Sequence, residues 1–178
     1  MSNDEKLLSR EEVFIGRAVS LRIDTIEKKS GDVTTREIVE HADCIAVVAV
    51  DDENRIVMVR QFRRPVNKTL LEIPAGGIED GEEPEEGVRR ELQEEIGYVP
   101  GSLQSLGGFY AAPGYCTEYL HLFLATQLTE SRLTAEDTDE IEVVRVPVAE
   151  VRAMIDSGQI CDAKSIAGLL RYLGSRRE

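Results

Sequence analysis

The sequence has few positive charges, and this scarcity limits the partners it can have. Lysine and arginine together number 21 against 34 aspartates and glutamates, which gives a net charge of −13. Because nucleic-acid phosphates attract surfaces rich in lysine and arginine, this balance argues against nucleic acid as a general partner. A small polyanionic substrate would need divalent cations to bind beside so many carboxylates.

Cysteines are also scarce, and they are widely separated. Cys44, Cys116 and Cys161 are odd in number and form no CxxC pair. A disulfide framework or a zinc site is therefore not expected, and we predict reduced thiols in the core.

Long hydrophobic runs are missing. The longest, Cys44–Val50, is far too short to span a bilayer. The opening segment MSNDEKLLSREE has no apolar signal region. These features predict a cytoplasmic protein with no membrane partner. A chain of 178 residues with a hydrophobic fraction of 42% is long enough for one domain with a sizeable core, with or without an appendage.

Residues 76–98, GGIEDGEEPEEGVRRELQEEIGY, concentrate the acidic side chains of the chain. Pro84 is tolerated at the start of a helix and Gly97 is typical of its end, so these residues predict a helix between them. The glycines ahead of the helix predict a loop in which the backbone is free to take a positive φ: Gly76, Gly77 and Gly81.

Helical spacing separates the residues of this segment by face. An apolar stripe at i, i+4 and i+8 is formed by Val88, Leu92 and Ile96. Glu91, Glu94 and Glu95 stand at i, i+3 and i+4, where like charges repel one another. Hard cations with oxygen ligands would offset this repulsion, and Mg²⁺ typically binds one or two carboxylates together with substrate phosphates.

At these residues the sequence resembles the Nudix hydrolase family. The family's motif is matched by Gly76, Glu82, Arg90, Glu91, Leu92, Glu94, Glu95 and Gly97, with Tyr98 where an aliphatic residue is usual. Its seven fixed identities would match by chance at a frequency on the order of 10⁻⁸ to 10⁻⁹ per start position. A solvated acidic helix would explain the charge but not this spacing.

The resemblance implies a Mg²⁺ site, with Mn²⁺ as a possible substitute. It makes Glu91, Glu95 and the backbone carbonyl of Ala75 the metal ligands, and Glu94 a catalytic carboxylate that acts as a further ligand or charge partner. Arg90 would hold the carboxylates in place from outside the metal's ligand shell. Glu82 would anchor the loop to the helix.

A later acidic loop, residues 129–139, is where the family often supplies its last carboxylate, as general base or metal ligand. Glu140 and Asp139 are the favoured candidates, with Glu136 in reserve. Solvated loop acids are the alternative for each of them.

Substrate contacts are predicted from an arginine cluster that precedes the motif. Arg60 and Arg63 lie in the segment RQFRRP, and planar guanidinium groups bind diphosphate oxygens in pairs. Glu72 is either a substrate contact, as the resemblance implies, or a paired structural acid.

Two further residues indicate the branch of the family that hydrolyses ADP-ribose. Pro113 follows Tyr98 by 15 positions, a distance that the family associates with ADP-ribose hydrolysis. The segment around Arg36 resembles the same branch, in which an N-terminal sheet forms the dimer interface. Arg36 would then reach the adenine side of the substrate in the partner subunit, or else be an ordinary exposed strand residue.

The order of elements predicts an α/β protein. Residues 1–12 are expected to be frayed, and residues 14–26 and 33–41 to form an antiparallel hairpin within an N-terminal appendage, 1–41. The resemblance implies that residues 42–178 form an α/β/α sandwich around a mixed sheet. Cys44–Val50 and residues 56–62 should pair as a hairpin in that sheet, and helices are expected after Pro147 and after Asp162, which can cap the second of them.

The function that the resemblance implies is Mg²⁺-dependent hydrolysis of ADP-ribose to AMP and ribose 5-phosphate, carried out by a homodimer. The first alternative is the same chemistry on another nucleoside diphosphate sugar, such as GDP-mannose, or on a dinucleotide such as NADH. The second is a ligand-binding regulator without turnover, which should have lost some of the motif's carboxylates.

Overall fold

The computed structural model describes residues 5–134 and 141–176. The chain divides into two compact units, which are described separately below. The first contains the chain up to Asp43 together with Tyr110–Tyr119, and the second contains Cys44–Phe109 and the chain from Leu120 onward.

The first unit is built on a three-stranded antiparallel sheet. Its strands, in the spatial order β1-β2-β3, are β1 (Lys6–Ile15), β2 (Ser20–Glu27) and β3 (Val33–Glu40). The predicted pairing of β2 with β3 is confirmed. The expectation of a frayed N-terminus is wrong from Lys6 onward, because β1 pairs with β2 although all of its side chains stay exposed. Arg10 of β1 binds the buried Asp24 of β2 at 2.9 Å.

The loop that carries Pro113 is attached to this sheet by its backbone. Val39 of β3 donates to the Tyr115 carbonyl at 2.8 Å, and Thr117 donates to the Val39 carbonyl at 3.0 Å. The loop therefore belongs to the N-terminal unit, although Cys116 follows its bridge partner Val39 by 77 positions in the sequence.

The second unit contains a seven-stranded mixed sheet. Five strands form the order β10-β5-β4-β9-β8, while β6 pairs with β5 and β7 with β4. Their bounds are β4 (Cys44–Val50), β5 (Arg55–Arg63), β6 (Lys68–Glu72), β7 (Ala75–Gly77), β8 (Tyr98–Tyr110), β9 (Tyr119–Glu130) and β10 (Glu142–Pro147). The predicted β4–β5 hairpin is confirmed, and β4 with β9 forms the parallel pair.

Helices cover both faces of this sheet. They are α1 (Pro84–Glu91), which continues through a π-helical turn at Leu92–Ile96, α2 (Val148–Asp156) and α3 (Ala163–Ser175). Because side chains alternate along a strand, β4 contributes to two cores. Ile45 and Val47 pack with the stripe of α1, while Ala46 and Val48 pack with the side of α2 and α3. The α/β/α sandwich around a mixed sheet is confirmed.

The helix ends follow the predicted signals, but the glycines ahead of α1 only partly do. Pro84 begins α1, and Gly97 ends the π-helical turn with φ 77°. Gly81 has the predicted positive φ, at 82°, whereas Gly76 and Gly77 do not. The prediction was wrong for these two glycines because their backbone forms the strand β7, which requires an extended conformation.

The three cysteines all lie in the described residues and form no disulfide. Cys44 is buried, but Cys161 is exposed, so the expectation of core thiols is wrong for Cys161, which lies between α2 and α3. Within the described residues, no helix has the length and apolar character needed to cross a membrane.

Candidate active site

The acidic motif is held against the sheet by the apolar stripe of its helix. Val88 and Leu92 are fully buried and Ile96 is 3% exposed. Packing of this stripe on β4 sets the carboxylates of the same helix beside β7. Glu95 is only 7% exposed, and its Oε2 accepts a hydrogen bond of 3.1 Å from the Ala75 backbone N–H. Two of the predicted metal ligands, Ala75 and Glu95, are thus adjacent.

The third predicted ligand, Glu91, lies directly against Gly76. A Cβ atom on Gly76 would stand 2.0 Å from the carboxylate carbon of Glu91. Glycine therefore leaves room here for the Glu91 carboxylate and is not needed for a left-handed backbone. Ala75, Glu91 and Glu95 accordingly form one group at the junction of β7 and α1.

Arg90 connects the loop before the helix to the carboxylates on it. Its Nε and Nη2 donate to Glu82 at 2.9 and 3.0 Å, and its Nη2 also donates to the Gly77 carbonyl at 2.8 Å. Its Nη1 donates to Glu91 at 2.7 Å and to Glu94 at 3.3 Å. The planar fork of arginine allows these contacts to form together. Glu82 anchors the loop, as predicted, and also accepts the Glu79 backbone N–H at 2.9 Å.

The electrostatics of this group favour a bound cation. Burial and the neighbouring charge of Glu91 raise the pKa of Glu95 to about 8, against the hydrogen bond from Ala75. Burial also raises the pKa of Glu91, although Arg90 opposes the shift. Glu82, by contrast, has a lowered pKa because Arg90 binds it. Two crowded, partly desolvated carboxylates beside a backbone carbonyl are the oxygen donors that a hard divalent cation takes, so the residues fit such an ion.

A second ionic group surrounds Glu72, at the end of β6. Glu72 is 1% exposed, and Arg63 binds both of its oxygens, at 2.9 and 2.7 Å. Lys164, in the first turn of α3, donates to Glu72 and, at 3.0 Å, to Asp162. Burial would raise the pKa of Glu72, but these two cations hold it below its usual value. The geometry favours the alternative in which Glu72 is a paired structural acid.

The group around Glu72 also acts on Glu95. The positive charges of Arg63 and Lys164 both oppose the upward shift in the pKa of Glu95. Lys164 was not singled out by sequence reasoning. The predicted helix cap at Asp162 was the available signal. It places Lys164 in the first turn of the helix, close to the capping carboxylate.

The remaining predicted substrate residues are Arg60, in the second unit, and Arg36 and Pro113, in the first. Arg60 of β5 forms an exposed ion pair with Glu142 of β10 at 2.8 Å. Arg36 and Pro113 belong to the first unit, where Arg36 binds Glu5 at 2.6 Å. The substrate roles of all three stay predictions.

The candidates for the general base lie outside the described residues. Glu136, Asp139 and Glu140 fall within 135–140, the gap between the two described ranges. Their role stays a prediction.

Comparison with known proteins agrees with this geometry. The NUDIX domain model matches residues 40–169. The chain is 39% identical to the ADP-ribose pyrophosphatase of Bacillus subtilis (strain 168) over 174 residues, 97% of this chain and 94% of that protein. It is 38% identical to the methanol dehydrogenase activator of Bacillus methanolicus over 172 residues, 96% of this chain and 92% of that protein.

Two further similarities bear on substrate class and on fold. The chain is 34% identical to the GDP-mannose pyrophosphatase of Citrobacter koseri over 184 aligned residues, 96% of this chain and 93% of that protein. A crystal structure described as an ADP compounds hydrolase superposes with a TM-score of 0.90 at 20% identity, covering 98% of this chain and 95% of the other. The matched domain and the whole-length relatives show that this chain belongs to the Nudix family of hydrolases.

Proposed function

We propose that the protein hydrolyses the diphosphate of ADP-ribose and releases AMP and ribose 5-phosphate. The observation that carries the proposal is the placement of the motif's carboxylates beside β7: Glu95 accepts the Ala75 N–H, Glu91 lies against Gly76, and Arg90 binds Glu91. The substrate is supported by the name and 39% identity of the Bacillus subtilis relative.

The cofactor in this proposal is Mg²⁺, for which Mn²⁺ can substitute. Glu91, Glu95 and the Ala75 carbonyl would hold it. When bound, a divalent cation neutralises charge that develops on the diphosphate and lowers the pKa of the attacking water. Glu94 is a further ligand or charge partner, and Arg90 keeps the carboxylates in position through its hydrogen bonds.

The protein's other residues bind and orient the substrate. Arg63, whose guanidinium is fixed by Glu72, is the best placed of the predicted diphosphate contacts, because it belongs to the ionic group that acts on Glu95. Arg60 is a second contact. The general base, Glu140 or Asp139, accepts a proton from the attacking water. Pro113 and Arg36 are specificity residues, as the resemblance implies.

We also propose that the protein is a homodimer joined through its N-terminal sheet. The support is apolar side chains on β1 that stay open to solvent, among them Phe14 at 56% and Ile15 at 70% exposed. Contiguous exposed apolar groups are typical of interaction surfaces. Light scattering tests this proposal, and a fully active monomer would contradict both the dimer and a shared-site role for Arg36.

The substrate is tested by product analysis on a panel of ADP-ribose, GDP-mannose and NADH with Mg²⁺. GDP-mannose is the second candidate because a relative at 34% identity carries that activity in its name. Preference for ADP-ribose supports the proposal. Preference for another compound would leave the roles of the carboxylates in place and would show that the specificity roles of Pro113 and Arg36 are wrong. Tight binding of ADP-ribose without any turnover would instead favour a ligand-binding regulator.

A further inference from the structure

Lys164 occupies an unusual position for a lysine. Its side chain is only 16% exposed, and its ammonium group lies between two carboxylates, Glu72 on β6 and Asp162 at the start of α3. A lysine is seldom buried unless it is paired, and here it has two acidic partners. Its location raises the question of what this ion pair does for the site.

The ion pair is continuous with the arginine that would meet the diphosphate. Glu72 accepts two parallel hydrogen bonds from Arg63, at 2.9 and 2.7 Å, so the plane of the guanidinium follows the plane of the carboxylate. Lys164 binds Oε2 of the same carboxylate, the oxygen that Arg63 Nη2 also binds. Glu72 is therefore held by Arg63 and Lys164 together.

The first turn of α3 is itself rigidly attached to this segment. Ser165 is fully buried, and its hydroxyl accepts the Ile73 backbone N–H at 2.8 Å. Asp162 caps the helix by accepting the Ser165 N–H at 3.2 Å. Because these bonds fix the backbone on both sides of the ion pair, the Lys164 ammonium is held at a defined point relative to Glu72.

We propose that Lys164 is a positioning residue for substrate binding: it fixes Glu72, which in turn fixes the Arg63 guanidinium toward the diphosphate. The inference rests on the proposed function, which assigns Arg63 to the diphosphate. Lys164 acts through Glu72 and makes no contact with the substrate in this account. A purely structural lysine would instead neutralise Glu72 and contribute only to stability.

The test is calorimetric binding of an α,β-methylene analogue of ADP-ribose, with Mg²⁺, to the full chain. The variants are Lys164→Met, Glu72→Gln and the double variant, with Lys68→Met as the control because Lys68 is exposed on β6. The double variant removes Glu72 and Lys164 together, so neither of these two charges is left buried without the other. Lys164→Met should weaken binding about tenfold, the scale of one charged hydrogen bond.

The double variant distinguishes positioning from direct contact. If Lys164 acts through Glu72, the double variant binds the analogue with an affinity within about twofold of that of Glu72→Gln alone. The reason is that Glu72→Gln has already removed the connection between Lys164 and Arg63. Losses that multiply would overturn the proposal, since Lys164 would then act independently of Glu72. Native affinity in a folded Lys164→Met protein would also overturn it, whatever happens to the melting temperature.

Two further outcomes remain distinguishable. If Lys164→Met does not fold, Lys164→Gln replaces it in the same cycle, and native affinity in that variant would count against positioning. If the native protein and Lys68→Met both fail to bind the analogue, the proposed function fails and the inference falls with it. Binding by both, with no loss in the Lys164 variants, overturns the inference alone.

Discussion

Gly76 and Glu91 approach so closely that a side chain at position 76 would displace the Glu91 carboxylate. A Cβ atom there would lie 2.0 Å from the carboxylate carbon and from Oε1 of Glu91. The contact joins β7, which supplies the Ala75 carbonyl, to α1, which supplies the carboxylate. The spacing of the proposed metal ligands is therefore set by the absence of a side chain.

Gly76→Ala should abolish most activity with little loss of stability. The added methyl group would displace the end of a flexible side chain, which the fold can tolerate, but it would move a proposed ligand by more than an ångström. Misplacement on that scale costs about 100-fold in rate. Steady-state kinetics and thermal unfolding measure the two effects. Gly174→Ala, whose Cβ would meet open space, is the control; equal activity in both variants would contradict the close-approach argument.

Glu95→Gln should lower kcat by orders of magnitude and leave the fold intact. The amide retains an oxygen that can accept the Ala75 N–H, but it cannot supply the negative charge that a divalent cation requires. Turnover with Mg²⁺ and circular dichroism are the measurements. Near-normal turnover in a folded Glu95→Gln protein would show that the metal site is misplaced.

Stability without metal should fall as the pH rises toward 8. The folded-state pKa of Glu95 is raised from 4.5 to about 8, so the folded protein binds this proton more tightly than the unfolded chain does. The contribution of this proton to the free energy of unfolding is complete below about pH 4.5 and is lost as the pH passes the folded-state pKa. Melting temperatures of the metal-free protein between about pH 5 and pH 9 test this.

The control for the pH series is Glu95→Gln, which removes the titrating group. The melting temperature of this variant should lack the part of the pH dependence that Glu95 causes. Mg²⁺ should raise the melting temperature of the native protein more at high pH than at low pH, because an ionised carboxylate is the better ligand. A native protein that gains stability over Glu95→Gln as the pH rises would contradict the account.

Arg90→Lys should weaken the binding of Mg²⁺ about tenfold, the lower end of the effect that outer residues have on metal sites. A lysine keeps the charge but cannot reach Glu82, Glu91 and the Gly77 carbonyl together. Titration calorimetry with Mg²⁺ gives the affinity. Arg89→Lys, which alters a single hydrogen bond to the Pro100 carbonyl, is the matched control. Equal affinity for Mg²⁺ in Arg90→Lys and Arg89→Lys would show that Arg90 does not position the carboxylates.

Much of the second unit could be predicted because the local sequence signals agree with how its residues pack. The stripe of Val88, Leu92 and Ile96 is buried as its spacing indicates, and Gly97 ends the helix in the left-handed conformation. The π-helical turn at Leu92–Ile96 was not predicted, since a helical repeat in the sequence does not reveal one extra residue in a turn. Such turns are frequent at functional sites, and this one contains Glu94 and Glu95.

Long-range contacts were the part that the sequence did not reveal. Lys164 and Glu72 are 92 positions apart, and their pairing depends on how α3 packs on the sheet. The strand β1 was missed because its side chains show no buried face; its backbone hydrogen bonds to β2 form it instead. Gly76 was interpreted as a loop glycine because close approach to a distant carboxylate leaves no local signal.

The most direct test of the account is the release of AMP from ADP-ribose with Mg²⁺, measured for the native protein and for Glu95→Gln side by side. The account predicts rapid release by the native protein, loss by orders of magnitude in the variant, and ribose 5-phosphate as the second product. Equal rates in the two proteins, or no AMP from the native protein, would contradict it.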